Sequence, residues 1–374
     1  MPYYNLIPEP QMNFTVNRML TYGEESSNLE EVKKITGRIK NFEDWFNEWK
    51  TLADKAVGEN RYMHAFYYYR MAEFFLTEAR TEKTDCYNRC IEYFNKAIAG
   101  ESIERQQVPF EGSWLPAIRF QSSPDKPIIL VHGGYDSFIE EFYLTCKEIH
   151  KKGYTIILFE GPGQGTARKN GLVFTEKWEK PVAAILDYFK VTDVALIGIS
   201  WGGYLASRAA AFDDRIKQVI AYDVLYDGLD FITYMMPRAV KMIFRFLVAI
   251  KASVIINALV NRVRKRKAIA DWAITHGMYI TGTKSPYEFF RRLSKHRMNG
   301  LGKRIKQDVL LLAGEKDHFI PVRYAYRMKK DLVNARTVTL RVFTEKEGGE
   351  QHCQVGNHQI AIDTIVNWLN QHAS

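Results

Sequence analysis

With 374 residues the chain is long enough for one large core with substantial additions, because single hydrophobic cores stop growing near roughly 250 to 300 residues. A hydrophobic content of 46% and a charged content of 25% are typical of folded globular proteins and exclude a disordered chain. The formal net charge is +9, but the sequence contains no nucleic-acid recognition module, so we expect no nucleic-acid partner.

The N-terminus and the cysteines bear on location. Residues 1–5 lack the basic start and apolar stretch of a secretory signal, and the four cysteines lack a metal-type CxxC spacing. Cys86 and Cys90, four residues apart on a predicted helix, could be bridged or reactive, although packed thiols are commoner. We therefore expect a cytoplasmic protein with no metal site.

The first hundred residues are predominantly helical. Between residues 29 and 99, aromatic and aliphatic side chains recur at spacings of three and four, which gives each helix an apolar face. No segment repeats at a fixed period, so a repeat array is not expected. We predict that residues 1–103 form an N-terminal helical segment that packs on the rest of the chain.

Extended segments begin after residue 106 and then alternate with helices. The predicted strands cover residues 107–110, 116–120, 127–131, 155–160, 193–199, 218–223, 308–313 and 338–343. The helices predicted between and after them cover residues 139–152, 176–189, 202–211, 322–332 and 358–372. Alternating strands and helices with short connections predict an α/β fold whose central sheet is mostly parallel and covered on both faces.

This alternation is interrupted by a helical insertion. Residues 226–300 are rich in Met and aromatic side chains and separate the two parts of the core, residues 104–225 and 301–374. Because ligands bind at the carboxyl edge of such sheets, we predict that the insertion is a helical cap over the site. Its apolar side chains predict a largely hydrophobic pocket. They include Phe231, Tyr234, Met235, Met236, Phe244 and Phe246.

The longest apolar stretch also lies in the insertion. Residues 239–260 are interrupted by Lys241, Arg245, Lys251 and Asn257, so we expect no membrane-spanning helix. The basic run at residues 262–267 follows it. Two interpretations stay open: a helix lying on an anionic membrane surface, or a buried helix that ends in a solvated charge run, which is the commoner arrangement.

The most informative motif is GISWG at residues 198–202. A predicted strand precedes it and a small-residue helix pattern follows it, which is the context of a nucleophile elbow. The sharp turn holds its serine, Ser200, in a strained conformation at a helix N-terminus, where the dipole favours developing negative charge.

A serine nucleophile requires a base and a carboxylate that orients the base. Asp317 follows a predicted strand and is the first candidate for the acid, although it could instead cap the next helix. Asp223, at the end of the preceding strand, is the reserve candidate. His352 lies between the last strand and the last helix, and we prefer it as the base over His318 and His358.

The remaining candidates lie in two glycine-containing loops and at the elbow. The backbone N–H of Trp201 and that of Gly134 or Tyr135, in the loop after the 127–131 strand, are candidate oxyanion donors. Glu160 begins the loop EGPGQG at residues 160–165, where it could contact a cationic substrate group or brace the loop. Asp223 is a second candidate for substrate contact.

Together these motifs resemble the α/β-hydrolase superfamily, and within it the FrsA-like group that includes 2,6-dihydroxypseudooxynicotine hydrolase and bacterial acylaminoacyl peptidase-like proteins. The motifs are GGYDS at 133–137, EGPGQG at 160–165, GISWGGY at 198–204 and EQHC at 350–353. The resemblance implies a catalytic triad of Ser200, Asp317 and His352, with no metal or cofactor, and it leaves the bond cleaved open.

The sequence therefore predicts a cofactor-independent serine hydrolase that acts on a small acyl substrate: an ester, an amide or peptide, or a ketone C–C bond. The alternative is a catalytically silent binding protein with the same fold. A homodimer is also conceivable, since two-fold dimers are the commonest assembly.

Overall fold

A computed structural model of the chain describes residues 2–122, 126–233 and 236–372; Tyr234 and Met235 of the predicted pocket lie outside these residues. The chain divides into two compact units. The first contains the residues up to Ser102 together with Val355–Gln359, and the second contains Ile103–Gln354 with the residues from Ile360 onward.

The first unit is helical, as predicted. Its helices are α1 (Pro10–Leu20), α2 (Leu29–Thr36), α3 (Phe42–Gly58), α4 (Tyr62–Phe74) and α5 (Thr81–Ala97). Asn41 caps α3 by accepting hydrogen bonds from two backbone N–H groups of its first turn, and Trp45 and Trp49 of the same helix are fully buried. α1 lies before residue 29, where the apolar helix spacing seen in the sequence begins.

The second unit is built on an eight-stranded sheet with the order β1-β2-β4-β3-β5-β6-β7-β8. The strands are β1 (Ile103–Phe110), β2 (Ser113–Phe120), β3 (Ile128–His132), β4 (Ile156–Phe159), β5 (Val194–Ile199), β6 (Ile216–Tyr222), β7 (Asp308–Gly314) and β8 (Thr337–Phe343). β2 pairs antiparallel with both β1 and β4, and the other pairings are parallel. The predicted mostly parallel α/β sheet is thus confirmed.

Helices cover the sheet and connect its strands. They are α6 (Tyr143–His150), α7 (Gly165–Lys169), α8 (Glu179–Phe189), α9 (Gly202–Ala210), α15 (Arg323–Asp331) and α16 (His358–Gln371). Every residue of β4, β5 and β7 is buried, which explains why these strands are apolar runs rather than alternating patterns. The helix predicted from residue 139 begins as a 3-10 turn, Ile139–Phe142, before α6.

The insertion between β6 and β7 is helical. It contains α10 (Gly228–Thr233), α11 (Arg238–Ala249), α12 (Ser253–Arg264), α13 (Ala268–Thr281) and α14 (Pro286–Leu293). Among the residues that the structure describes, no helix is long and apolar enough to cross a bilayer. All four cysteines are free thiols, and Cys86 and Cys90 are buried.

Candidate active site

The turn between β5 and α9 holds Ser200 in the left-handed region, with φ of 63°. Two glycines allow this turn. A Cβ atom at Gly198 would lie 2.0 Å from the Gly202 carbonyl oxygen, and one at Gly203 would lie 1.8 Å from the Asp223 carbonyl oxygen. The elbow therefore tolerates no side chain at either position, and the serine is presented at the N-terminus of α9.

His352 follows β8 and lies against the serine: its Nε2 is 2.8 Å from Ser200 Oγ. Two carboxylates face the other ring nitrogen, so the proton is assigned to Nδ1 and the Ser200 hydroxyl donates to Nε2. His358, one of the rival bases, lies in the helical unit, where its Nδ1 is 3.5 Å from Thr21 Oγ1. The geometry favours His352 among the three predicted histidines.

Both predicted acids contact the same nitrogen. Asp317 Oδ2 lies 2.7 Å and Asp223 Oδ2 lies 2.9 Å from His352 Nδ1. Asp317 Oδ1 also accepts hydrogen bonds from the backbone N–H groups of Phe319 and Ile320, at 2.7 and 2.8 Å, so the capping role weighed against it coexists with the histidine contact. Asp223 Oδ2 accepts from the Cys353 N–H at 2.6 Å.

This placement favours the reserve role of Asp223 as an acid over the predicted substrate contact. The carboxylate is buried behind the imidazole, on the side away from Ser200. The strand order explains the pairing of the two acids. Asp223 and Asp317 follow β6 and β7, which are adjacent and parallel, so their carboxyl ends meet at one edge of the sheet.

Burial and the charges of their neighbours shift the pKa values of His352, Asp317 and Asp223. Burial lowers the pKa of His352, but the charge of Asp317 and the hydrogen bonds that the imidazole donates to both carboxylates outweigh this effect and raise the pKa well above its usual value. Burial, with repulsion from Asp223, raises the pKa of Asp317 to about 6. Burial would also raise the pKa of Asp223, but the hydrogen bond and charge of His352 hold it below its usual value.

The predicted oxyanion loop follows β3 and lies against the elbow. A Cβ atom at Gly134 would lie 2.7 Å from the Trp201 nitrogen, so glycine permits the close approach. The Gly134 N–H donates to Ser137 Oγ at 2.8 Å. Of the two predicted donors in this loop, Gly134 is thus engaged elsewhere, and the Tyr135 N–H is the better candidate beside the Trp201 N–H.

A residue that sequence reasoning missed, Gln164, holds this loop in place. Its Nε2 donates to the carbonyl oxygens of Gly133 and Gly134, at 2.9 and 2.7 Å, and its Oε1 accepts from the Gly161 N–H at 2.8 Å. The only signal in the sequence is the position of a glutamine within the EGPGQG motif.

Glu160 braces the same region. Its two carboxylate oxygens accept from the N–H groups of Ile139 and Ala167, at 3.1 and 3.2 Å, and its side chain is buried. Burial and the nearby Glu140 raise its pKa to about 8. Of the two roles considered for Glu160, these contacts favour bracing and place it away from a substrate.

Aromatic rings surround the elbow. The Trp201 ring stacks on Tyr135 at 5.3 Å and meets Phe231 of α10 edge-on, also at 5.3 Å between centroids. Phe231 in turn stacks on Phe319, whose ring lies 5.1 Å from that of His352. The Trp201 indole N–H donates to His296 Nδ1 at 3.0 Å, a contact that no motif predicted.

One cluster offers donor atoms of the kind that bind metals. Ligand atoms of Asp223, His352 and Cys353 lie within 4.8 Å of one another. Burial raises the pKa of the Cys353 thiol to about 11, whereas a metal ligand must be the thiolate. The cluster fits the hydrogen-bonding role described above better than metal coordination.

The sheet order, the elbow and the loops around it are those of one large class of proteins. The model of the alpha/beta hydrolase fold family matches residues 126–353, which is more than half of the chain. The chain therefore belongs to the alpha/beta hydrolase fold family.

Known relatives extend the match over the whole chain. The chain is 27% identical to hydrolase LUC6 of Fusarium sp, with 98% of each chain covered. It is 26% identical to 20-hydroxy-prefusarin hydrolase FUS2 of Gibberella moniliformis, with 96% of this chain and 95% of the relative covered. Among solved structures, 2,6-dihydroxy-pseudo-oxynicotine hydrolase shares the fold, with 18% identity, a TM-score of 0.69 and 94% of each chain covered. The family and the names of the two sequence relatives support a hydrolase.

Proposed function

We propose that the protein is a cofactor-independent serine hydrolase in which Ser200 attacks a substrate carbonyl carbon. The proposal rests on one observation: Ser200 Oγ, the two nitrogens of His352 and a carboxylate form a continuous chain of hydrogen bonds of 2.8 and 2.7 Å. The left-handed φ of Ser200 supports it, because such strain in a non-glycine residue is typical of functional sites.

In the first step the Ser200 oxygen bonds to the carbonyl carbon while its proton passes to His352 Nε2. The imidazolium so formed is stabilised by Asp317 and Asp223 across Nδ1. The carbonyl oxygen becomes an oxyanion, which the N–H groups of Trp201 and Tyr135 stabilise. Loss of one such donor typically costs about 3 to 4 kcal/mol of transition-state stabilisation.

In the second step the intermediate collapses to an acyl-enzyme. The His352 imidazolium donates its proton to the leaving group, which is an alkoxide, an amine or a carbanion beside a ketone. Water then attacks the acyl-enzyme with His352 as base, which releases the acid and restores the serine hydroxyl. The same residues serve all three leaving groups, so the fold alone does not select among ester, amide and C–C cleavage.

The surroundings favour a small, largely apolar substrate. Phe319 lies beside the imidazole and Phe231 stacks on Phe319, and both are half-buried. One relative is named as a hydrolase of 20-hydroxy-prefusarin. We infer a small acyl or aromatic ketone substrate for this chain.

Labelling with a fluorophosphonate, read by intact mass, tests the proposal without knowledge of the substrate. The wild type should gain the mass of one probe, and Ser200→Ala should gain none. Ser294→Ala, a serine at the end of α14, is the matched control and should label like the wild type. Absence of labelling in folded wild type would refute an activated serine and favour the binding-only alternative. A homodimer stays a prediction, which light scattering checks.

A further inference from the structure

The helix α11 has two apolar faces, of which only one is covered. Phe244 and Val248 on the inner face are buried. Val240, which is 50% exposed, lies one turn before Phe244. The opposite face carries Met242, Ile243, Phe246 and, just after the helix, Ile250, which are between 54% and 62% exposed. Their spacing of three and four residues places most of them on one stripe.

The next helix, α12, is also exposed over much of its apolar surface. Ile256 is buried, whereas Val254, Ile255, Leu259 and Val263 are between 49% and 80% exposed. Nine of the thirteen large hydrophobic residues that are exposed in the described part of the chain therefore belong to these two helices and their connection. Apolar residues scattered singly over a surface need no explanation, but nine of them concentrated in two consecutive helices indicate an interaction site.

The same segment carries the whole net charge of the protein. Residues 238–267 contain nine Lys and Arg and no Asp or Glu. The full chain has 52 Lys and Arg against 43 Asp and Glu, so outside this segment cations and acids are equal in number. The surface formed by residues 238–267, which we call the α11–α12 face, is both apolar and strongly basic.

Most of these cations are available to a partner. Lys241 and Arg245 are paired with Asp230, and Arg264 is paired with Asp271. Six others have no ion pair with any acid in the described residues, and four of them cluster at the end of α12 and in the turn after it. The six are Arg238, Lys251, Arg262, Lys265, Arg266 and Lys267.

We propose that the α11–α12 face docks on an anionic lipid surface. Exposed aliphatic and aromatic side chains enter the boundary between headgroups and acyl chains, while adjacent cations bind the negatively charged headgroups. Both requirements are met on one face, and no carboxylate in the segment opposes them. Each helix has 12 residues and lies in the plane of the interface rather than across the bilayer.

Two other partners fit this face less well. A second copy of the chain docking through the same face in a two-fold dimer would bring the six unpaired cations of one copy against the same six of the other, with no acid in the segment to compensate them. Nucleic acid would use the cations but would leave most of the exposed apolar stripe without a role. The lipid surface is the partner whose chemistry matches both features.

Co-sedimentation of the full-length protein with lipid vesicles tests the proposal. Vesicles of equal parts phosphatidylserine and phosphatidylcholine should sediment the protein at low salt and less of it as salt is raised, and vesicles of phosphatidylcholine alone should bind it much more weakly. Each cation near an anionic surface strengthens binding on the order of five-fold, so Arg266→Gln with Lys267→Gln should weaken it on the order of 30-fold.

Matched variants test whether binding depends on the α11–α12 face or on the charge and apolarity of the protein surface in general. Lys329→Gln with Lys330→Gln removes two exposed cations from α15, and Val333→Ser removes an exposed apolar side chain elsewhere; both should bind like the wild type. Phe246→Ser should weaken binding by at least about ten-fold. Circular dichroism and thermal unfolding confirm that each variant is folded.

Several results would overturn the proposal. The first is that the protein does not sediment with anionic vesicles at low salt, and the second is that it binds vesicles of phosphatidylcholine alone equally well. The third is that replacing Arg266 and Lys267 weakens vesicle binding no more than replacing the two lysines of α15. A stable dimer in light scattering that Phe246→Ser dissociates would assign the face to a second copy instead. None of these readouts depends on hydrolysis, so their outcome is independent of the proposed function.

Discussion

The two carboxylates at His352 Nδ1 predict that neither acid is individually indispensable. We consider Asp317→Asn, Asp223→Asn and the double variant. In a triad with one acid, the Asp→Asn change leaves the imidazole in the wrong tautomer and lowers the rate by about 10⁴-fold. Here Asp223 Oδ2 lies 2.9 Å from Nδ1, so the proton keeps a charged acceptor when Asp317 is replaced.

The expected loss for a single variant is then that of one charge-assisted hydrogen bond. Such a bond contributes about 1.5 to 3 kcal/mol. At about 1.36 kcal/mol for each factor of ten, this corresponds to about 10- to 150-fold in rate. The double variant removes both acceptors and should approach the loss of about 10⁴-fold that a triad without its acid suffers.

The pH dependence gives a second readout, which a purely structural role would not change. Only neutral imidazole accepts the serine proton, so activity should fall as pH drops through the pKa of His352. The carboxylates raise that pKa, and removal of either one should lower it. The acidic limb of the rate profile should therefore move to lower pH in each single variant.

The assay is the second-order rate of fluorophosphonate labelling, supported by kcat/KM for a short-chain p-nitrophenyl ester across a pH series. Asp308→Asn is the matched control. Asp308, at the start of β7, is also a buried strand aspartate, but its carboxylate pairs with Arg336 rather than with His352. It should lower the free energy of unfolding and leave the labelling rate and pH limb unchanged.

The reasoning would be refuted if Asp317→Asn alone cost about 10⁴-fold while Asp223→Asn changed neither the rate nor the pH limb. Asp317 would then be the sole orienting acid. If Asp223→Asn were the only damaging single change, the roles of the two acids would be reversed.

Two further predictions concern the residues that hold the serine turn in place, Gly203 and His296. Gly203→Ala should lower the free energy of unfolding by about 3 kcal/mol or more in urea titration, because its Cβ would lie 1.8 Å from the Asp223 carbonyl oxygen. Gly100→Ala is the control, because nothing lies within 4 Å of its Cβ position. An equal loss of stability in the control would contradict this reasoning. His296→Leu should cost about 1 to 3 kcal/mol in the same titration, because the buried Trp201 indole N–H loses its acceptor. A loss that persists undiminished in a Trp201→Phe background would show that the hydrogen bond is not its source.

Much of the fold is readable from the sequence because its central strands are buried on both faces. β4, β5 and β7 appear as short apolar runs bounded by turns, and the elbow glycines stand where the turn tolerates no side chain. The individual helix α1 lies inside the predicted helical segment but before the region of clear apolar spacing. Its Asn13 and Asn17 are buried and bond to the backbone of Tyr4, so polar residues occupy positions where a helix pattern requires apolar ones.

The sequence could not choose between Asp223 and Asp317, since each follows a strand and each is a sound candidate. Only the pairing of β6 with β7 brings both carboxylates to one imidazole nitrogen. The exposed stripe of α11 was hidden for another reason. Apolar spacing predicts which side chains share a face, but it does not tell whether another element covers that face.

The insertion between β6 and β7 contributes none of the polar groups assigned to the reaction, which all come from loops that follow β3, β5, β6, β7 and β8. A change within α10–α14 can therefore reshape what enters the site without moving the serine, the histidine or the acids. On the proposed mechanism, the reacting groups are therefore encoded outside α10–α14. Exchanging this helical stretch between relatives should then test whether it sets selectivity while the chemistry stays constant.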